Sequence, residues 1–284
     1  MTGAAAHDPA GRTAPVRPQG IARRVSDISV LTQRNLVHIA RQPTRLGDVT
    51  LQPVLFTLLF IWVLGAGVTL PGGRSYTDFA VPGLILFNIT TSAIGTAIGL
   101  STDLGTGVTD RFRTLPMWNG AVLVGRSVSD LLTMTICILM VAVTGLAIGW
   151  RTDARAPAII AGLAILLLFG YVLIWGCACL GAWSEDAESV TNLGLIILFP
   201  LAIISNALVP TARMPAVIRF IAAWNPVSAA TAAVRDLWNS PSPPAGIHAL
   251  PMQHPVPAAL IWSASLLAIF VPLAIYLYRK RTTT

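Results

Sequence analysis

Six apolar segments, each long enough to cross a bilayer, constrain this chain more than any other feature. They run Val49–Leu70, Phe79–Ser101, Leu123–Trp150, Ala156–Trp183, Val190–Val209 and Pro257–Tyr278. A helix needs about 18–20 such residues to cross roughly 30 Å of hydrocarbon. The expected architecture is an all-α integral membrane protein with six transmembrane helices. Composition agrees: 54% of the residues are hydrophobic and 11% charged. A soluble domain carries about 25% charged residues, and this chain has too few to clothe a water-facing surface.

The flanks differ from the spans. Residues 1–20 are polar, with Pro9, Pro15 and Pro18, and have no apolar core of a signal peptide. They read as a disordered cytoplasmic tail. In 21–42, Arg24, Asp27, Arg34, His38 and Arg41 fall at helical spacing on one face, and Ile21, Val25, Ile28, Leu36 and Ile39 on another. That pattern is a basic amphipathic helix suited to a membrane surface, ended by Pro43. Residues 43–284 then form the six-span domain. The third segment is overlong, because Leu131–Trp150 already spans. Arg126 and Asp130 therefore belong near the interface, four residues apart on one helix face.

Six spans return both termini to one side, and charge chooses the side. Thirteen of the 19 basic residues flank the ends that share a side with the termini, and six flank the others. The richer side is cytoplasmic by the positive-inside rule. These cytoplasmic bases also account for a pI near 10.2 without nucleic acid as partner. Trp62, Trp118, Trp150, Trp183 and Trp262 fall near span ends, as interfacial aromatic belts do.

On the far side, Pro210–Val256 is not a plain loop. Met214, Val217, Ile218 and Ile221 repeat at helical spacing behind Pro215. Asn225-Pro226 breaks that helix, and Ala229, Ala230, Ala233, Val234 and Leu237 repeat likewise. Each piece is too short to span, so a pair of re-entrant half-helices fits. Residues 240–255 read as a Pro-rich surface loop.

Enzyme chemistry has no foothold. No G-x-x-x-x-G-K-[ST], H-E-x-x-H or G-x-S-x-G string occurs, and Lys280 is the sole lysine. No catalytic residue and no cofactor is assigned to this chain. The three cysteines lie in apolar runs and read as packing residues, and no metal site is expected. No Asp or Glu falls at the centre of a span. That argues against a proton- or sodium-coupled carrier and suits a transporter energised from outside the membrane. A membrane enzyme or assembly protein without a transport role would need a polar constellation near one interface, and none is found.

Two cytoplasmic segments stand out. Thr102–Met117 holds a helix-compatible stretch in which Asp110, Arg111 and Arg113 surround Phe112 and Leu115, with Pro116 behind. A short helix presenting an apolar anchor amid charges suits a cleft on a cytosolic partner; a solvated loop is the plainer alternative. Trp183–Glu188 carries Glu185, Asp186 and Glu188 without a base and offers a second contact, or again a solvated loop. Asn88 in the second span, Asn206 at the end of the fifth and Val217 in the first half-helix are the candidates for a substrate path.

Three stretches carry a resemblance: 42–64 (QPTRLGDVTLQPVLFTLLFIWVL), 107–130 (GVTDRFRTLPMWNGAVLVGRSVSD) and 199–237 (FPLAIISNALVPTARMPAVIRFIAAWNPVSAATAAVRDL). Together they resemble the ABC-2 type permeases, and among them the membrane subunit of daunorubicin-resistance-type exporters. The resemblance covers nearly the whole chain after residue 20, and the chain departs from it at Met117-Trp118-Asn119-Gly120. It implies an exporter-like half-transporter, two permease subunits (copies or paralogues) joined to two cytosolic ATP-binding subunits that hold ATP and magnesium. Under it, residues 21–42 are a connecting helix, and Asp110, Arg111, Phe112, Arg113, Leu115 and Pro116 map onto the coupling region. The implied cargo is a hydrophobic drug, lipid or glycolipid moved out across the cytoplasmic membrane. A polysaccharide or other lipid-linked envelope precursor is the alternative.

Overall fold

The computed structural model describes residues 43–67, 75–106, 121–184, 186–241 and 249–283. The tail at 1–20 and the amphipathic segment at 21–42 lie outside them. The described residues are helical, without strands. We number the helices α1 (Pro43–Gly67), α2 (Tyr76–Ser92), α3 (Ile94–Gly105), α4 (Ala121–Ala147) and α5 (Ala156–Trp183). They continue as α6 (Ala187–Ile203), α7 (Ala216–Trp224), α8 (Pro226–Leu237), α9 (Leu250–Gln253) and α10 (Pro255–Thr283), with a 3-10 turn at Thr211–Arg213.

Five stretches in these helices are long and apolar enough to cross a membrane: Val49–Gly67, Tyr76–Gly105, Leu123–Ala147, Ala156–Trp183 and Pro255–Thr282. The sixth expected span differs. It forms the 17-residue helix α6 and stops at Ile203, well before Val209. The two half-helices fall where the periodicity placed them, as α7 and α8, bent 71° apart at Asn225.

Local chemistry sets these boundaries. Ser75 caps α2 by accepting from the Thr77 N–H (3.2 Å), and Asp78 follows in the first turn. Asp186 caps α6 by accepting from the Ser189 N–H at 2.7 Å. Asn225 does two jobs. Its side-chain oxygen caps α8 by accepting from Val227 N–H (2.8 Å). Its amide donates to the Leu201 and Ile204 carbonyls at 2.7 and 2.6 Å. Those are carbonyls that the end of α6 leaves without helical partners, so Asn225 terminates one helix while starting another.

The second span is interrupted for one residue between α2 and α3, at Ala93, whose backbone stays in the helical region and whose N–H still donates to the Ile89 carbonyl at 3.2 Å. Just before the interruption, Thr90 and Thr91 hydroxyls donate back to the Leu86 and Phe87 carbonyls. Such back-bonding competes with the helix ladder.

Helices α2 and α3 form the middle of the bundle, with α1, α4, α5, α6 and α8 around them. Phe79, Leu84, Ile85, Leu86 and Ile89 are fully buried on α2. Phe56 and Phe60 of α1 and Phe199 of α6 meet Phe87 edge-on, with centroids 5.4–6.4 Å apart. Gly181 of α5 lets the Ala97 carbonyl of α3 approach, where a Cβ would stand 2.5 Å away. At the rim, α1 exposes Leu51, Leu55, Leu59, Trp62 and Val63. In water that stripe would be costly; against acyl chains it is not.

Two expectations change. Trp150 is not a lipid-facing belt residue. It is 5% exposed and its ring lies 5.6 Å from that of Trp238. The expected 240–255 surface loop contains α9 and the start of α10. Pro251 stands in the first turn of α9, and the His254 N–H donates to the Leu250 carbonyl at 3.1 Å.

Candidate functional site

The bundle has two ends. At one, α3 finishes, α4 begins, α5 and α10 finish and α6 begins; we call it the α3/α4 end. At the other stand α7, α8 and the starts of α2, α5 and α10; we call it the α7/α8 end.

The α3/α4 end flanks residues 107–120. Asp110, Arg111, Phe112, Arg113, Leu115 and Pro116 lie outside the described residues, as does Glu185. The residues on either side of that segment are placed. Asp103 lies on the last turn of α3 and Arg126 on the second turn of α4, with Arg126 Nη1 2.5 Å from Asp103 Oδ2. Arg126 Nε lies 3.6 Å from Asp130 Oδ2, so the expected intrahelical pair is present. The Asp103 partner was not anticipated. Nearby, Arg281 of α10 donates to the carbonyls of Gly181 (3.3 Å) and Ser184, tying the last helix to the end of α5.

Asp186 and Glu188 are both exposed at the start of α6. The Asp186 carboxylate is engaged by its own helix, accepting from the Ser189 N–H at 2.7 Å and hydroxyl at 2.8 Å. These bonds hold its carboxyl below the usual aspartate range.

The path candidates do not form one constellation. Asn88 is buried, and its amide donates to the Leu84 carbonyl of its own helix at 2.8 Å. Val217 is 73% exposed on α7. Asn206 is buried just past the end of α6. Its N–H donates to Ser228 Oγ at 3.0 Å, and its side-chain oxygen has no partner.

Asn206 leads to the residue that sequence reasoning missed. Arg235 was counted among the bases flanking the spans. It is instead 1% exposed inside the α7/α8 end. Its Nε donates to the Phe79 carbonyl (3.1 Å), Nη1 to Asn206 (2.8 Å) and Nη2 to Ala207 (2.8 Å). The guanidinium carbon lies 3.8 Å from the Phe79 ring centroid. Tyr76 adds a bond from its hydroxyl to the Leu208 carbonyl at 3.0 Å. Gly83 allows the close approach, since a Cβ there would stand 1.8 Å from the Ala207 oxygen. One signal was available: Arg235, with Asp236 beside it, interrupts the small-residue run AATAAV within a helix that pairs with an apolar neighbour.

Arg235 ties the start of α2 and the chain just past α6 to α8, while at the opposite end the Asp103–Arg126 pair joins α3 to α4. Residues 26–238 match the sequence profile of the ABC-2 type transporter family. The chain belongs to that family. A daunorubicin resistance ABC transporter permease, DrrB1 of Streptomyces coeruleorubidus, is 31% identical over 262 residues, covering 92% of this chain and 89% of the relative. A probable doxorubicin resistance ABC transporter permease, DrrC of Mycobacterium tuberculosis, is 24% identical over 261 residues, covering 91% and 90%. A putative transport permease, ycf38 of Porphyra purpurea, is 25% identical over 219 residues, covering 76% and 75%. The chain is thus a multi-pass membrane permease of the drug-resistance type. Membership of the ABC-2 family implies association with an ATP-binding subunit. In the ABC-2 permease, then, the α3/α4 end flanks residues 107–120, and Arg235 organises the opposite end.

Proposed function

We propose that this permease exports a hydrophobic drug or lipid-like cargo across the cytoplasmic membrane, driven by ATP hydrolysis on a separate subunit. The observation that carries the reading is similarity to a daunorubicin resistance permease along 92% of the chain. The α3/α4 end and both termini face the cytoplasm, supported by the thirteen-to-six division of basic residues. A second copy or a paralogue completes the membrane unit, with ATP and magnesium on the partner. The segment around Phe112 and Leu115 receives the motion of the ATPase, and Glu188 offers a lesser contact. Helices α7 and α8 dip back into the outer leaflet, and Asn206 and Val217 border the exit. In support, the unpartnered Asn206 oxygen and the exposed apolar face of α7 lie at that end.

The test is reconstitution with the cognate ATP-binding subunit in lipid vesicles. Addition of ATP should move daunorubicin across the bilayer, while the permease alone should neither hydrolyse ATP nor move it. ATP-driven movement of a labelled glycolipid with none of daunorubicin would replace the drug by a lipid cargo. Movement without the ATP-binding subunit would defeat the reading.

A further inference from the structure

Arg126 faces two carboxylates on two different helices: Nη1 donates to Asp103 at 2.5 Å, while Nε stands 3.6 Å from Asp130 Oδ2, a charge pair beyond hydrogen-bond reach. Asp103 belongs to α3, and Asp130 lies one turn along α4 from Arg126 itself. The Arg126 side chain is 12% exposed, that of Asp130 18% and that of Asp103 40%. Asp103 and Arg126 stand on either side of 107–120, so their contact sets how close the two helices leading into and out of that segment lie. Gly99, one turn before Asp103 on α3, makes the contact possible: a Cβ there would lie 1.7 Å from Arg126 Nη2.

A guanidinium at this depth with one partner would be stranded when that partner left, and stranding a largely buried charge is strongly unfavourable. Asp130 removes that obstacle. The Arg126–Asp130 pair lies within one helix and does not depend on where α3 is. The contact between α3 and α4 can therefore open while Arg126 stays paired, which is what a two-state element requires.

We propose that Arg126 is a positioning residue for coupling, a latch that trades Asp103 for Asp130. Paired with Asp103, it holds the two legs of the 107–120 segment together. Released to Asp130, it lets α3 move against α4 when the segment is displaced. This rests on the reading that an ATP-binding partner drives the chain through that segment.

Two measurements on the full-length permease test it. The first uses the permease alone in vesicles, spin-labelled at Thr102→Cys and Val124→Cys, the native thiols being buried. Asp103→Asn should shift the label separation to longer distances. Gly99→Ala should do the same with every charge retained, since its Cβ displaces the guanidinium. Asp130→Asn should shift it to shorter distances, and Asp103→Glu should restore the original distribution. The second measurement is daunorubicin-stimulated ATP hydrolysis by the permease with its ATP-binding subunit. Stimulation should fall about threefold or more in Asp103→Asn, Gly99→Ala and Asp130→Asn, at unchanged assembly.

An Asp130→Asn protein that matches the original in both measurements would make Arg126 a fixed strut and overturn the latch. So would identical label distances in all variants. Distances that respond as expected, with no stimulated hydrolysis even in the unaltered protein, would uphold the latch and overturn the transport reading.

Discussion

Arg126 and Arg235 carry the same charge into opposite ends of one bundle, and the bundle holds them by different means. Arg126 is near the water-facing rim and is met by two carboxylates, one of them 40% exposed. Arg235 is fully enclosed and is met by three backbone carbonyls and the face of Phe79. Among the described residues no carboxylate forms an ion pair with it. Carboxylates on side chains can be exchanged one for another. Carbonyls at the ends of α6 and on α2 move only if the helices move. One end of the molecule is thus built to change partners, and the other to stay assembled.

The widest gap between the ends should appear in stability. Arg235→Ala leaves three buried carbonyls without a charged donor and should cost on the order of 3–5 kcal/mol. Arg235→Lys keeps the charge without the planar fork and should recover only part of that. Arg126→Ala should cost less, about 1–2 kcal/mol, because Asp103 is screened by water while Asp130 is left part-buried, and high salt should lower that cost and leave the Arg235 one unchanged. Denaturant unfolding in detergent micelles measures both, and equal losses would break the comparison.

The two glycines beside these arginines sharpen it. At Gly83 an added Cβ would meet the Ala207 backbone 1.8 Å away, so α2 must shift from the end of α6. Gly83→Ala should cost about 2–3 kcal/mol. At Gly99 the Cβ meets the far end of a flexible side chain, and Gly99→Ala should cost less than about 1 kcal/mol. The same unfolding series reads both. A Gly99→Ala protein as damaged as Gly83→Ala would show that the α3/α4 end is as rigid as the other.

The smallest effect concerns acid. The Asp186 carboxyl is held below its ordinary value by the Ser189 N–H and hydroxyl. Its capping contribution is therefore complete above the ordinary aspartate value of about 3.9 and is lost as pH falls through the lower folded value. The start of α6 should fray below about pH 4 while the α7/α8 end, which relies on Arg235 and Asn225, does not. Hydrogen exchange at the Ser189 and Val190 amides as a function of pH checks this, and Asp186→Asn should abolish the pH dependence.

Much of the fold was legible because the strongest signals are local. Apolar runs and their lengths sit in consecutive residues, so the spans at Ala156–Trp183 and in α10 fall close to where hydropathy puts them. Asn225-Pro226 marked the start of α8 for the same reason. The interruption at Ala93 was not legible, since Thr90 and Thr91 beside it read as ordinary helix residues until their hydroxyls are seen to bond back to Leu86 and Phe87. The early end of α6 was not legible either. It depends on an amide 21 residues further on that takes the Ile204 carbonyl. The intrahelical Arg126–Asp130 pair followed from spacing alone, whereas Asp103, 23 residues earlier, had no sequence mark as its partner.

By itself the sequence determined that this chain lives in a membrane, how many apolar segments it has and which side its charges favour. Those follow from transfer free energies that add residue by residue along the chain. The tertiary structure alone decided what each charge does. An arginine four residues from an aspartate and an arginine in an alanine-rich helix look alike as letters. Their roles depend on which carbonyls and carboxylates converge on them across distances of up to 156 residues in the chain. Convergence of that kind is a property of packing, and close-packed helices supply it only once α2, α6 and α8 have met.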